Sequence, residues 1–190
     1  MSEHQQSALM GAERRGDVTV REAGLQGMIT LRGDLSDQGI RDAVAGVTLM
    51  AVPEMRGVTG DLGGGMAWMS PDEAMIFCAH DRAEALAQEL SARLQGQHHL
   101  ALNVSDARAA FSAEGACVRG VMAKLSPVDW YAGGFGAGEM RRTRLGQVAA
   151  AVWMPAEGAV RVICFRSVAA YTFELLSNAA ASEKSNFFAS

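Results

Sequence analysis

The residues with chemistry to offer are scattered along the chain, and their spacing decides what each can do. His98 and His99 are adjacent. On a strand such neighbours point to opposite faces, so they cannot chelate one metal, and one surface and one half-buried histidine are expected. Ser105-Asp106 sets a hydroxyl beside a carboxylate, but no nucleophile elbow surrounds the serine, which reads as a turn cap. The stretch Gly133-Gly-Phe-Gly-Ala-Gly138 opens no helix and lacks a dinucleotide fingerprint or a P-loop Lys-Ser/Thr, so it reads as a connector. Asp61, Asp72, Glu73 and Glu157 are turn carboxylates, the two glutamates at repeated positions. Cys78, Cys117 and Cys164 are odd in number, far apart and set in apolar runs, as buried reduced thiols would be. Arg142 and Arg144 share one side of a predicted strand. They can clamp an anion bidentately, or pair with local acids or a partner subunit. No catalytic, cofactor-binding or metal-binding residue emerges.

Bulk composition narrows the function classes. The chain has 190 residues and a net charge of −4, and its longest basic cluster is Arg141, Arg142 and Arg144. Nucleic acid is excluded as the main partner, because phosphate binding requires a basic face. No apolar run approaches the ~20 residues of a membrane span, and the polar start carries no signal-peptide core, so a cytoplasmic location is expected. Most of the eleven methionines read as core filler.

The elements that would position these residues repeat. Trp68-Met-Ser-Pro71-Asp-Glu73 leads into Met75-Ile-Phe-Cys78 and a helix; Trp153-Met-Pro155-Ala-Glu157 leads into Val160-Arg-Val-Ile-Cys164 and another. A motif that occurs twice marks a duplication. The two Trp-Met turns, and Cys78 with Cys164, are therefore expected at equivalent places. Residues 1–17 read as a disordered arm, 18–104 as the first half, 105–180 as the second and 181–190 as a flexible tail. In the first half, 18–21 and 28–32 read as a hairpin or neighbouring strands, and Ser36 as the N-cap of a helix over 37–46. The hairpin 66–69/74–79 follows. Asp81 and Glu84 form a capping box for a helix with Ala83, Leu86, Ala87, Leu90 and Leu94 on one stripe, and 100–104 is a strand. In the second half, Glu114-Gly115 opens a helix through Val118, Val121, Met122 and Leu125, and 141–154 is one long strand. Residues 160–165 return, and Ser167 caps a helix whose face is Val168, Tyr171, Thr172, Leu175 and Leu176. The expected fold is α+β: two ferredoxin-like βαββα halves forming a mixed-sheet pseudo-barrel.

Val104-Ser-Asp106-Ala-Arg108, Met122-Ala-Lys124, Pro127-Val-Asp129, Phe135, Arg144-Leu145-x-Gln147 and Arg166-Ser167-x-x-x-Tyr171 together resemble the gamma subunit of heterotetrameric sarcosine oxidase. The resemblance spans about residues 25–180, most specifically Asn103 to Tyr171. It implies a fold like the folate-binding domain of the glycine-cleavage aminomethyltransferase. It also implies a non-catalytic subunit of an oxidoreductase complex that demethylates sarcosine to glycine with oxygen and tetrahydrofolate, giving hydrogen peroxide and methylenetetrahydrofolate. FAD, FMN, NAD and tetrahydrofolate would lie in the larger subunits. The alpha subunit would be the main contact, with beta and delta completing the heterotetramer. The alternative is a stand-alone folate-binding or one-carbon transfer protein that uses Arg142 and Arg144 on the folate glutamate. An iron–sulfur assembly factor would need a cysteine motif that is absent. Trp130, Tyr131, an exposed Phe135, Arg142 and Arg144 combine the residue types of interface hot spots and are the candidate partner surface.

Overall fold

Strand pairing carries the architecture of the computed structural model, which describes residues 5–181. In chain order the first elements are β1 (Glu13–Arg14), β2 (Thr19–Glu22), β3 (Gly27–Arg32), α1 (Gln38–Thr48), β4 (Val58–Asp61), β5 (Gly64–Ser70) and β6 (Glu73–Cys78). There follow α2 (Ala83–Arg93), β7 (Leu100–Asn103), β8 (Arg108–Glu114) and α3 (Val118–Ala123). The last are β9 (Met140–Leu145), β10 (Val148–Ala156), β11 (Ala159–Phe165) and α4 (Ala169–Ala180). They divide into two units, one of Gln26–Ser105 and one that joins residues up to Leu25 with those from Asp106 onward.

In the Gln26–Ser105 unit the antiparallel order is β4-β5-β6-β3-β7. Alternation puts Ile29, Leu31, Met66, Ala74 and Ile76 on one face, and they form a core with Ile40 and Val44 of α1 and Ala83, Ala87 and Leu90 of α2. Each large aliphatic side chain buried this way contributes roughly 1.5–3 kcal/mol. Asp37, rather than Ser36, caps α1: its Oδ1 accepts the Ile40 amide at 3.1 Å, while Ser36 is held by Asp34. The Asp81–Glu84 capping box does not form. Asp81 lies inside a 3₁₀ turn, His80–Arg82, that runs directly into α2. The stripe expected on α2 is nonetheless the one that packs.

The other unit is also antiparallel, in the order β1-β2-β8-β11-β10-β9. Val20, Phe111, Val152, Val160 and Val162 pack against Val118, Val121 and Met122 of α3 and Phe173 and Leu176 of α4. Four expectations change here. Glu114 ends β8 instead of opening a helix, and α3 starts at Val118. Residues 141–154 are not one strand but the hairpin β9–β10, because Gly146 takes φ +57 and reverses the chain. A 3₁₀ turn, Arg166–Val168, precedes α4, so Ser167 does not cap it. The buried face of α4 is Ala169, Thr172, Phe173, Leu176 and Ser177, with Tyr171 half exposed.

The duplication is explicit in the topology. β3, α1, β4, β5, β6 and α2 match β8, α3, β9, β10, β11 and α4 in order and pairing, one strand more per half than βαββα. The added strands, β4 and β9, escape the sequence reading because Gly60 interrupts one and the other runs into β10. Trp68 in β5 and Trp153 in β10 are each followed by a register shift, and Cys78 and Cys164 each stand two residues before a 3₁₀ turn. Equivalent places are confirmed.

Strand β2 departs from the expected hairpin. It pairs with β8, not β3, and holds beside β8 the position that β7 holds beside β3. The expected boundary therefore moves: residues 18–25 go with the second half. Residues 5–17, read as part of a disordered arm, form structure. The buried Glu22 carboxylate accepts the Ser7 hydroxyl at 2.9 Å and the Gly11 amide at 2.7 Å, and Leu9 packs on the core. The tail from 182 on, and residues 1–4, lie outside the described residues. Replacing Glu22 with Ala leaves those two donors unmet and is expected to cost about 1–3 kcal/mol. Hydrogen exchange would show residues 5–14 exchanging faster while β8 and β11 stay protected; unchanged protection of 5–14 would contradict the anchoring role.

Candidate functional site

The glycine-rich loop is organised by a residue the sequence reading passed over. Arg119 sits in α3, where every residue from Val118 to Met122 is buried. Its Nη1 donates to the carbonyls of Trp130 at 3.0 Å and Phe135 at 2.7 Å. Its Nε and Nη2 donate to Oε1 and Oε2 of Glu157, each at 2.7 Å. This bidentate fork fixes the hairpin turn and both ends of the loop at one point. The readable signal was a lone arginine in an otherwise apolar helix, which demands a carboxylate elsewhere. The hydrogen bond from Arg119 holds the Glu157 carboxyl below the usual carboxylate range, and the same bond raises the Arg119 guanidinium.

Trp130 and Phe135 are not surface anchors. Each is 1% exposed, with the rings edge to face at 4.9 Å, and the Trp130 indole N–H donates to Ser126 Oγ at 2.9 Å. Aromatics in a glycine-rich loop suggest exposure; glycine here instead lets the loop close on itself, since a Cβ at Gly134 would press on Asp129. The loop amides serve the loop itself: Gly134 and Phe135 donate to the Tyr131 carbonyl, Gly136 to Glu139 Oε2, and Gly138 to the Met154 carbonyl. A phosphate would find none of these four amides available.

Of the remaining interface candidates, Tyr131 is 63% exposed. Arg142 and Arg144 are exposed on one side of β9, an end strand of its sheet, and Arg144 also donates to Gln147. Other polar groups have structural tasks. Ser105 Oγ accepts the Met28 amide at 3.0 Å and donates to Asn103 Oδ1 at 2.6 Å, as a turn cap does. Buried Glu73 accepts from Arg32 at 3.0 Å. Burial pushes the thiols of Cys78 and Cys164 up, which keeps them protonated at neutral pH. An open cleft of about 600 Å³ lies in the Gln26–Ser105 unit, lined by Arg32, Asp34, Asp72, His98, His99 and Leu100. His98 is exposed and His99 half-buried, the expected arrangement, with His99 Nδ1 3.0 Å from the Gln97 carbonyl. Among the described residues no three His, Cys, Asp or Glu side chains are placed to hold a metal ion. The arrangement offers mixed charge without a nucleophile and base in register.

Replacing Arg119 with Met keeps the volume but leaves two buried carbonyls and Glu157 without their donor. A loss of about 2–5 kcal/mol is expected in denaturant unfolding, with the Trp130 fluorescence altered. Replacing Glu157 with Gln is expected to be mild, at most ~1 kcal/mol, because the Glu157 side chain is 69% exposed. The sign is fixed by its lowered pKa: the Glu157 contribution is present above the unfolded carboxylate range and fades as pH falls through the folded value. The Gln variant should therefore approach the wild type in acid, below the folded Glu157 value, and fall below it near neutrality.

A family model described as the sarcosine oxidase gamma subunit family matches residues 32–182. No curated protein sequence matches. A chain of heterotetrameric sarcosine oxidase from Corynebacterium sp. U-96 superposes with a TM-score of 0.83 at 25% identity, covering 94% of this chain and 95% of that one. Glycine cleavage system aminomethyltransferase T from Bartonella henselae gives a TM-score of 0.56 at 11% identity, over 82% of this chain and 44% of that one, a likeness of fold. Since the family model takes in most of the sequence, the chain belongs to the sarcosine oxidase gamma subunit family.

Proposed function

We propose that this protein is a non-catalytic gamma subunit that supports assembly of a cytoplasmic heterotetrameric sarcosine oxidase. The observation that carries the reading is the match to a chain of such an oxidase along nearly the whole length of both. The geometry supports it from the other side. Side chains that suggest chemistry in the sequence are engaged in structural bonds, from Glu157 on Arg119 to Ser105 on Met28. In this reading the complex demethylates sarcosine to glycine with oxygen and tetrahydrofolate, releasing hydrogen peroxide and methylenetetrahydrofolate. FAD, FMN, NAD and tetrahydrofolate belong to the larger subunits, and the alpha subunit is the main contact, beside beta and delta. Tyr131, Arg142 and Arg144 are exposed on this unit.

The aminomethyltransferase-like fold and the paired exposure of Arg142 and Arg144 favour one second reading, a stand-alone folate-binding or one-carbon transfer protein. Two arginines on one strand face suit the carboxylates of a folate glutamate. Purification decides between them. The chain alone is expected to be colourless, to give no heat with tetrahydrofolate in calorimetry and to produce no peroxide from sarcosine, whereas co-expression with the other subunits yields one complex on gel filtration. Tight folate binding by the lone chain would establish the second reading. Flavin absorbance or turnover from it would end the non-catalytic one.

A further inference from the structure

We infer that β7 is a docking edge that receives an extended segment of another subunit of the oxidase as an added antiparallel strand. The partner's identity rests on the proposed function; the edge itself rests on geometry. β7 ends its sheet, paired with β3 from Ile29↔Asn103 to Arg32↔Leu100, and among the described residues no strand lies on its outer side. Val104 donates its amide to the Met28 carbonyl at 2.8 Å. By the two-residue period, Leu100 and Leu102 also turn their backbone groups toward β3, and Ala101 and Asn103 turn theirs outward. An incoming strand would meet these outward groups.

The side chains fit the same occupant. Ala101 packs toward the helices, so Leu100 and Leu102 project from the opposite face, where they are 48% and 51% exposed. Edge strands are ordinarily protected by lysine, proline, a bulge or a cover. Leu100–Asn103 contains no lysine or proline, and its register with β3 is regular. The duplication then indicates what belongs there. β2 is the counterpart of β7, and β1 lies antiparallel on its outer side, Glu13 opposite Arg21 and Arg14 opposite Val20. One copy of the repeat thus carries the added strand within this chain, and the other presents the same edge outward. The cleft at the Leu100 end, with Arg32, Asp34 and His99, gives the end of such a segment a polar seat. The occupant is an extended segment with apolar side chains at alternate positions, bound by strand addition.

Two variants separate this edge from the fold. Ala101→Pro removes an outward amide that makes no bond to β3, a change that an edge strand tolerates; Leu102→Lys adds the charge that guards natural edges. Circular dichroism and thermal unfolding of both isolated chains are expected to match the wild type. Co-expressed with the other subunits, both are expected to associate about tenfold or more weakly, as loss of a hot spot would require. In the wild-type complex the amides of Ala101 and Asn103 are expected to exchange slowly, and in the lone chain rapidly. If all three forms assemble alike, the edge is overturned while the subunit reading stands. If the wild type enters no complex, the subunit reading fails and this partner with it. A wild-type homodimer that Ala101→Pro dissociates would assign the edge to a second copy of the chain and overturn the inference.

Discussion

A buried guanidinium must have its donors met, and the way Arg119 meets that demand determines much of its unit. Taking an ion from water costs several kcal/mol even after relaxation, and a carboxylate partner offsets this only when further hydrogen bonds complete the set. Glu157 supplies two acceptors, and the carbonyls of Trp130 and Phe135 supply two more. These acceptors lie on two stretches of chain, the β10–β11 turn and the glycine-rich loop. The loop, the β10–β11 turn and α3 are consequently held together by one side chain, and the aromatic pair closes beneath it. α3 has only six residues, too few for a helix to persist by itself, and this constraint helps explain why it is formed at all.

Duplication supplies the second constraint. Each half needs a strand beside its first one to finish a five-strand sheet, yet α4 is the last element of the described chain. The first half obtains its strand from the sequence after α2, as β7; the second obtains it from the sequence before β3, as β2. Residues at the chain's start are therefore required by a unit whose other residues begin at Asp106. Burial of Glu22 then continues the sheet outward, because its carboxylate fixes the segment that leads into β1.

Local signals made the repeat, the α2 stripe, the β5–β6 hairpin and the place of the histidines legible, since each depends on residues close in sequence. What was not legible depends on distant partners. The placement of β2 is decided by β8, about ninety residues later, and nothing in Val18-Thr-Val-Arg distinguishes that partner from β3. The starts of α1, α2 and α4 differ from expectation by about one residue because Asp34 takes Ser36 and because α2 and α4 enter through 3₁₀ turns that need no side-chain cap, while α3 starts later because β8 runs on to Glu114. Phe135 was misread because composition registers glycines and aromatics alike as loop, whereas burial depends on what fills the space around them. Arg119 was missed for the complementary reason: its acceptors lie 11, 16 and 38 residues away.

Several polar side chains of this chain are spent on its own turns and loops. Glu73, Glu157, Ser105, Arg119 and Trp130 bond to the protein's own turns and loops, and the half-buried thiol of Cys78 and the buried one of Cys164 are held protonated. Apolar groups show the opposite imbalance. Leu49, with a left-handed backbone, is 90% exposed, Met55 is 71% exposed, and Leu100 and Leu102 line an open strand edge. Scattered apolar exposure is ordinary, but alternate leucines on an edge strand favour pairing with a strand that meets them. Leu100 and Leu102, alternate on an end strand and about half exposed, are the apolar groups from which docking at β7 is inferred.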